Sequence, residues 1–142
     1  MKNLLLISSF LALLNCKPTE KNMSTATLEN TYWKLLEVNG KPLATPADAR
    51  EVHMILTKQG TDTRLKGFAG CNNMGGSYTV NGDMIKFTVI STKMMCSPDR
   101  MEPENFLFNV LNNADHYKIK GERLELYQDD TRLTVFESVY LK

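Results

Sequence analysis

The sequence predicts a mainly β domain: a single curved antiparallel sheet or partial barrel with one helix packed on it. From Tyr32 onward short apolar runs alternate with turn dipeptides, the mark of antiparallel hairpins. Only the stretch from Pro103 to about Asn112 carries helical apolar spacing. One short helix cannot cover a large open sheet. The sheet must therefore curl, with the helix across its concave side or mouth.

The chain divides into residues 1–16, 17–30 and 31–142. The first segment opens with Lys2 and runs apolar from Leu4 to Leu14 before Asn15-Cys16-Lys17-Pro18. A charged start followed by a short apolar region is the pattern of a secretory signal. Such a run rises about 16 Å as a helix, roughly half the hydrocarbon thickness of a bilayer, so a cleaved signal fits better than a membrane span. Leu13-Leu14-Asn15-Cys16 resembles the lipobox of bacterial lipoproteins, whose cysteine is lipidated. Asn15 departs from the Gly, Ala or Ser usual at that place. The alternative is an ordinary signal cut nearby, with Cys16 removed or incidental. Residues 17–30 (KPTEKNMSTATLEN) are polar and aperiodic and read as a tether that could extend to about 50 Å.

Within the domain, Val38-Asn39-Gly40-Lys41 and Val80-Asn81-Gly82-Asp83 place Asn-Gly where a two-residue type I′ turn needs positive φ. The second hairpin would pair Tyr78 with Ile85 and Gly76 with Phe87, setting Tyr78, Ile85 and Phe87 on one face. For the helix, Pro103 suits the first position and Glu104 the first turn, with Glu102 as cap and Met101 stapled to Phe106. Phe106, Leu107, Val110 and Leu111 form its apolar stripe. Ile119-Lys120-Gly121-Glu122 and Gln128-Asp129-Asp130-Thr131 are the turns of a three-strand meander whose register sends Tyr117, Leu124, Leu126, Leu133 and Val135 inward.

The segment from Gly67 to Tyr78 (GFAGCNNMGGSY) is dense in glycine and asparagine, which signals tight backbone geometry. Together with Trp33-Lys34-Leu35, Ser91-Thr92-Lys93-Met94-Met95-Cys96, Glu104-Phe106-Leu107 and Leu124-Leu126, it resembles the META domain, also called the HslJ-like family, over roughly residues 30–138. The motif residues are Gly70, Cys71, Asn72, Gly76, Ser77 and Tyr78. The resemblance implies a compact β-rich, barrel-like domain with one helix, found in bacterial envelope proteins and linked to heat-shock or stress settings, with no established reaction. It also places Cys71 and Cys96 on the two cysteine positions of the family. A bridge between them would close about 25 residues and contribute roughly 3 kcal/mol in an oxidising compartment. Two free buried thiols are the alternative. Since those positions account for two of the three cysteines, Cys16 is left without a disulfide partner, which favours its lipidation.

Composition narrows the function. A net charge of +1, with no Lys/Arg cluster, argues against nucleic-acid binding. A cysteine enzyme would need a base near Cys71 or Cys96, and only His53, in an apparent strand from Val52 to Leu56, and His116 are available. Soft-metal (copper) capture would draw on Met94, Met95, Cys96 and Met101, but core filling accounts for most of the methionines. Paired-carboxylate hydrolysis has only Asp129-Asp130 in a turn and Glu122 and Glu125 on a solvent face. No catalytic, cofactor or metal residue is assigned. The expectation is a non-enzymatic, exported envelope lipoprotein, monomeric, held to a membrane through Cys16, with a stress-related structural or binding role. A barrel-type carrier of a small ligand is the alternative. An envelope protein or a small molecule is the expected partner.

Overall fold

The structure, a computed structural model, describes residues 25–140. In chain order the strands are β1 (Tyr32–Leu35), β2 (Glu37–Val38), β3 (Lys41–Pro42), β4 (His53–Gln59), β5 (Asp62–Phe68), β6 (Asn73–Asn81) and β7 (Met84–Ser91). Helix α1 (Pro98–Asn113) then leads to β8 (His116–Lys120), β9 (Arg123–Gln128) and β10 (Thr131–Val139). Apart from the small β2–β3 hairpin, the strands lie in the order β1-β10-β9-β8-β7-β6-β5-β4, and β4 returns to pair with β1. The ring is drawn together only weakly at the β7–β8 seam, where the ladder is a single residue pair, Met84 opposite His116. Two 2.9 Å bonds flank it, from Ile85 N–H to Asp115 O and from Tyr117 N–H to Asp83 O. The molecule is thus a strongly curved antiparallel sheet, a partial barrel, with the one helix among the described residues packed on it.

The helix and the sheet share one core. Trp33, Leu35, Met54, Leu56, Leu65, Tyr78, Ile85, Leu124, Leu126 and Phe136 are buried together with Leu107, Val110 and Leu111 of α1. A buried indole must satisfy its N–H, and Trp33 Nε1 donates to Leu28 O at 3.0 Å. That bond draws the preceding segment onto the domain. Ala26 N–H bonds Gly121 O, Asn30 N–H bonds Leu56 O, and Ala26 and Leu28 are buried. The reading of 17–30 as a tether is corrected here: 26–30 belong to the globule. Two apolar side chains, Ala26 and Leu28, in an otherwise polar stretch form no period that marks burial. Residues 1–24, with the expected signal, Cys16 and the remainder of the expected tether, lie outside the described residues.

Most predicted turns are observed. Val38 pairs with Lys41 across Asn39 and Gly40, whose φ values of 52° and 73° are those of a type I′ turn. Lys120 pairs with Arg123 and Gln128 with Thr131. The Asn81-Gly82 turn sits one residue later than expected: Asn81 pairs with Met84, and Tyr78 meets Phe87 rather than Ile85. Gly82 alone of the two loop residues has positive φ, the pattern of a type II′ turn. A two-residue slip preserves side-chain parity, so Tyr78, Ile85 and Phe87 still share a face.

Two further expectations are corrected. In β10 the ladder shifts between Arg132 and Thr134, an irregularity that exchanges the faces of everything after it. Thr134 and Phe136 therefore stand beside Leu126 and Leu124 and Val135 takes the opposite face, while Leu133, the extra residue at the shift, packs partly buried against the core as expected. The helix begins five residues earlier than predicted, with Ser97 as extended N-cap and Pro98 in the place assigned to Pro103. Ser97 makes no side-chain cap bond. Pro103 is inside the helix and Glu104 lies beyond its first turn, so neither Glu102 nor the Met101–Phe106 staple starts the helix.

Candidate functional site

The glycine- and asparagine-rich motif folds into the end of β5, a tight loop over 69–72, and β6. Ala69 N–H closes the loop on Asn72 O at 2.9 Å. Gly70 has φ +130°, and a Cβ there would stand 2.7 Å from Arg100 O, so α1 rests directly on the loop backbone. Gly76 has φ +153°, with the Thr88 carbonyl oxygen 1.9 Å from where a Cβ would be. Both positions need glycine for close backbone approach as well as for conformation.

Polar groups without water must find partners, and this loop finds them in α1. Glu104, 5% exposed, accepts hydrogen bonds from Asn72 N–H (2.6 Å), Cys71 N–H (3.1 Å) and Asn72 Nδ2 (2.7 Å). The Asn72 amide then reaches the segment between β7 and α1. Its Oδ1 accepts from Met94 N–H at 2.7 Å and from the Thr92 hydroxyl at 2.9 Å, and its Nδ2 also donates to Met94 O at 3.1 Å. Cys71 and Cys96 form a disulfide across the same junction. The loop, the 92–96 segment and α1 are thus joined by a buried carboxylate, a buried amide and a covalent bond.

The motif residues divide by role. Gly70, Cys71 and Asn72 build this junction, while Gly76 lets β6 approach the Thr88 backbone of β7. Tyr78 lies in the core, with its hydroxyl donating to Glu29 at 3.1 Å. Burial and the neighbouring Glu29 raise its pKa well above the ordinary phenol value. Ser77 faces solvent. Neither predicted histidine hydrogen-bonds to Cys71 or Cys96 among the described residues. His53 is buried, stacked on Tyr32 with ring centroids 4.3 Å apart and its Nδ1 2.9 Å from Glu51 O. Burial lowers its pKa. His116 lies 2.6 Å from Asp115, whose hydrogen bond raises its pKa.

Other charge assignments change. Glu125 is not on a solvent face: it is 8% exposed and contacts Lys120 Nζ (2.9 Å), the Tyr127 hydroxyl (2.8 Å) and Arg132 Nη1 (3.7 Å). Burial opposes its charge, yet the bonds from Lys120 and Tyr127 hold its pKa below the usual carboxylate value. Among the methionines, Met54 and Met74 fill the core, but Met84, Met94 and Met95 are exposed, so core filling does not account for those three. In the bridge Cys96 offers no thiolate to a metal.

Two residues that sequence reasoning left aside border the motif. Arg50 Nη1 donates to Asn73 Oδ1 at 2.7 Å, and its guanidinium lies 4.5 Å over the Phe68 ring. Arg100 Nε donates to Gly70 O at 3.2 Å. Neither arginine lies in a cluster or motif, so the sequence carries no signal for them.

A family model, the META domain, matches residues 26–140. The chain belongs to the META domain family. The match begins at Ala26, the first buried residue of the globule, and ends at the last described residue. No curated protein matches the sequence. Two solved structures share the META fold seen here. An NMR structure of a protein from Burkholderia xenovorans has a TM-score of 0.63 at 23% identity, covering 80% of this chain and 85% of that one. A second NMR structure has a TM-score of 0.60 at 19% identity, covering 79% of this chain and 94% of its own. These likenesses concern the fold alone.

Proposed function

We propose that the chain is an exported lipoprotein, anchored through Cys16, whose META domain has a non-enzymatic structural or binding role in the cell envelope under stress. The observation that carries this reading is the junction around Asn72. Its cysteines, its amide and its carboxylate are spent on one another, leaving neither a thiol nor a base for chemistry. The Cys71–Cys96 bridge supports export, because disulfides persist in oxidising compartments. Large buried side chains, among them Trp33, Tyr78 and Phe136, occupy the core of the described residues, which favours a ligand site outside it over a barrel-type carrier.

Anchoring is tested by fractionating cells that express the full chain and its Cys16→Ser variant, with intact mass spectrometry of each. The expected result is membrane-bound wild-type protein carrying acyl mass at Cys16, and a variant without that mass in the soluble fraction. Soluble, unacylated wild-type protein would overturn the reading.

A further inference from the structure

A cleft of about 380 Å³ lies beside the motif, between the segment running from Leu43 to Val52, Gly70, and the first turns of α1. It falls within the size range of small-molecule sites. Its walls include Leu43, Pro46, Val52 and Pro103, and Arg50 and Arg100 both line it. Each guanidinium is held by one bond, Arg50 to Asn73 at the start of β6 and Arg100 to Gly70 in the loop, and Arg50 is fixed further by Phe68. A guanidinium has five N–H donors, so each arginine retains donors beyond the one that positions it. Among the described residues neither forms a salt bridge.

We infer that this cleft binds a small organic monocarboxylate, its carboxylate at Arg50 and Arg100 and its apolar body against Leu43, Pro46, Val52 and Pro103. Planar guanidinium forks match a carboxylate, and fixing them beforehand reduces the ordering cost of binding. The charge of the ligand follows from the remaining lining. Asp48 and Asp99 also border the cleft, so its formal charges balance. Selection of an anion then rests on the unused arginine donors rather than on net charge, and each further negative charge on a ligand adds repulsion from the two carboxylates. This deepens the binding part of the preceding reading. It places the ligand outside the barrel, on the surface that the Asn72 junction holds rigid.

The test uses the purified full chain in detergent micelles with benzoate as probe, followed by calorimetry and by amide chemical shifts. Saturable one-to-one binding is expected, with shifts centred on Gly70 and Arg100. Arg50→Gln and Arg100→Gln should each weaken it about 10-fold or more, the size expected for losing a charge-assisted bond. Arg64→Gln, which removes an exposed arginine on β5, should leave it unchanged. Benzyl alcohol, which lacks the charge, should not compete. Absence of saturable binding, equal binding in both cleft variants, or stronger binding of inorganic phosphate than of benzoate would each overturn the assignment. Purified protein is measured directly, so failure here leaves anchoring intact, and failed acylation leaves the cleft open to measurement.

Discussion

Two buried carboxylates, one on α1 and one in the β8–β10 meander, are stabilised in different ways. Glu104 makes no ion pair among the described residues. Its charge rests on two backbone N–H groups and an amide, all from the 71–72 loop. Glu125 in the β8–β10 meander lies between Lys120 and Arg132, whose side chains are 65% and 47% exposed. The difference lies in what each carboxylate does for the backbone. The meander already has regular ladders, so Glu125 adds to a structure that exists without it. The 69–72 loop has few ladder bonds, and Glu104 supplies the acceptors that the loop would otherwise lack.

The largest expected effect tests that contrast. Glu104→Ala strands buried donors and should destabilise by about 3–5 kcal/mol. Glu125→Ala frees partners that can turn to water and should cost about 1 kcal/mol. Urea unfolding of both variants at low and high salt measures this, with only the Glu125 effect shrinking as salt rises. Equal losses would erase the distinction.

Next in size is the disulfide. Replacing Cys71 and Cys96 together with alanine should cost about 3 kcal/mol through the freed 25-residue separation. If the hydrogen bonds of Asn72 suffice to hold the junction, the double variant will keep the wild-type pattern of slow amide exchange at Asn72 and Met94. Lost protection there would make the covalent bond the senior element.

The smallest effect concerns the two histidines, which should pull stability in opposite directions with pH. His53 has a depressed pKa in the folded chain, so below about pH 6.5 the unfolded chain takes up a proton that folded His53 resists. Stability falls as pH drops through that window. His116 has a raised pKa, so its contribution is complete below about pH 6.5 and is lost as pH climbs through the folded value. Unfolding midpoints between about pH 5 and 8 for His53→Gln and His116→Gln should show the acid-side and alkaline-side slopes flattened, respectively. A shared sign would contradict the burial of one and the Asp115 pairing of the other.

Local chemistry made much of this fold legible. Asn39-Gly40, Gly121 and Asp129-Asp130 announced their turns because positive φ or tight loops restrict residue choice. The β10 irregularity was hidden, since Leu133 and Val135 alternate as convincingly as Thr134 and Phe136 once a shift is allowed. Pro103 obscured the helix start: it is a strong signal for a first turn, and Pro98 makes the same claim earlier. The junction was half visible. The motif marked Gly70, Cys71 and Asn72 as backbone-critical, but Glu104 resembled an ordinary first-turn acid, and its bond to Asn72 spans 32 residues. Pairings of that range arise from tertiary folding and leave no local pattern.

The hydrogen bond from Ala26 to Gly121 has a spatial consequence for an anchored protein. Ten residues separate Cys16 from Ala26, and a chain of that length spans at most roughly 35 Å. A lipid at Cys16 would then keep the Gly121 turn within that stand-off from the bilayer, and the meander end of the domain would be the end moored nearest to the membrane.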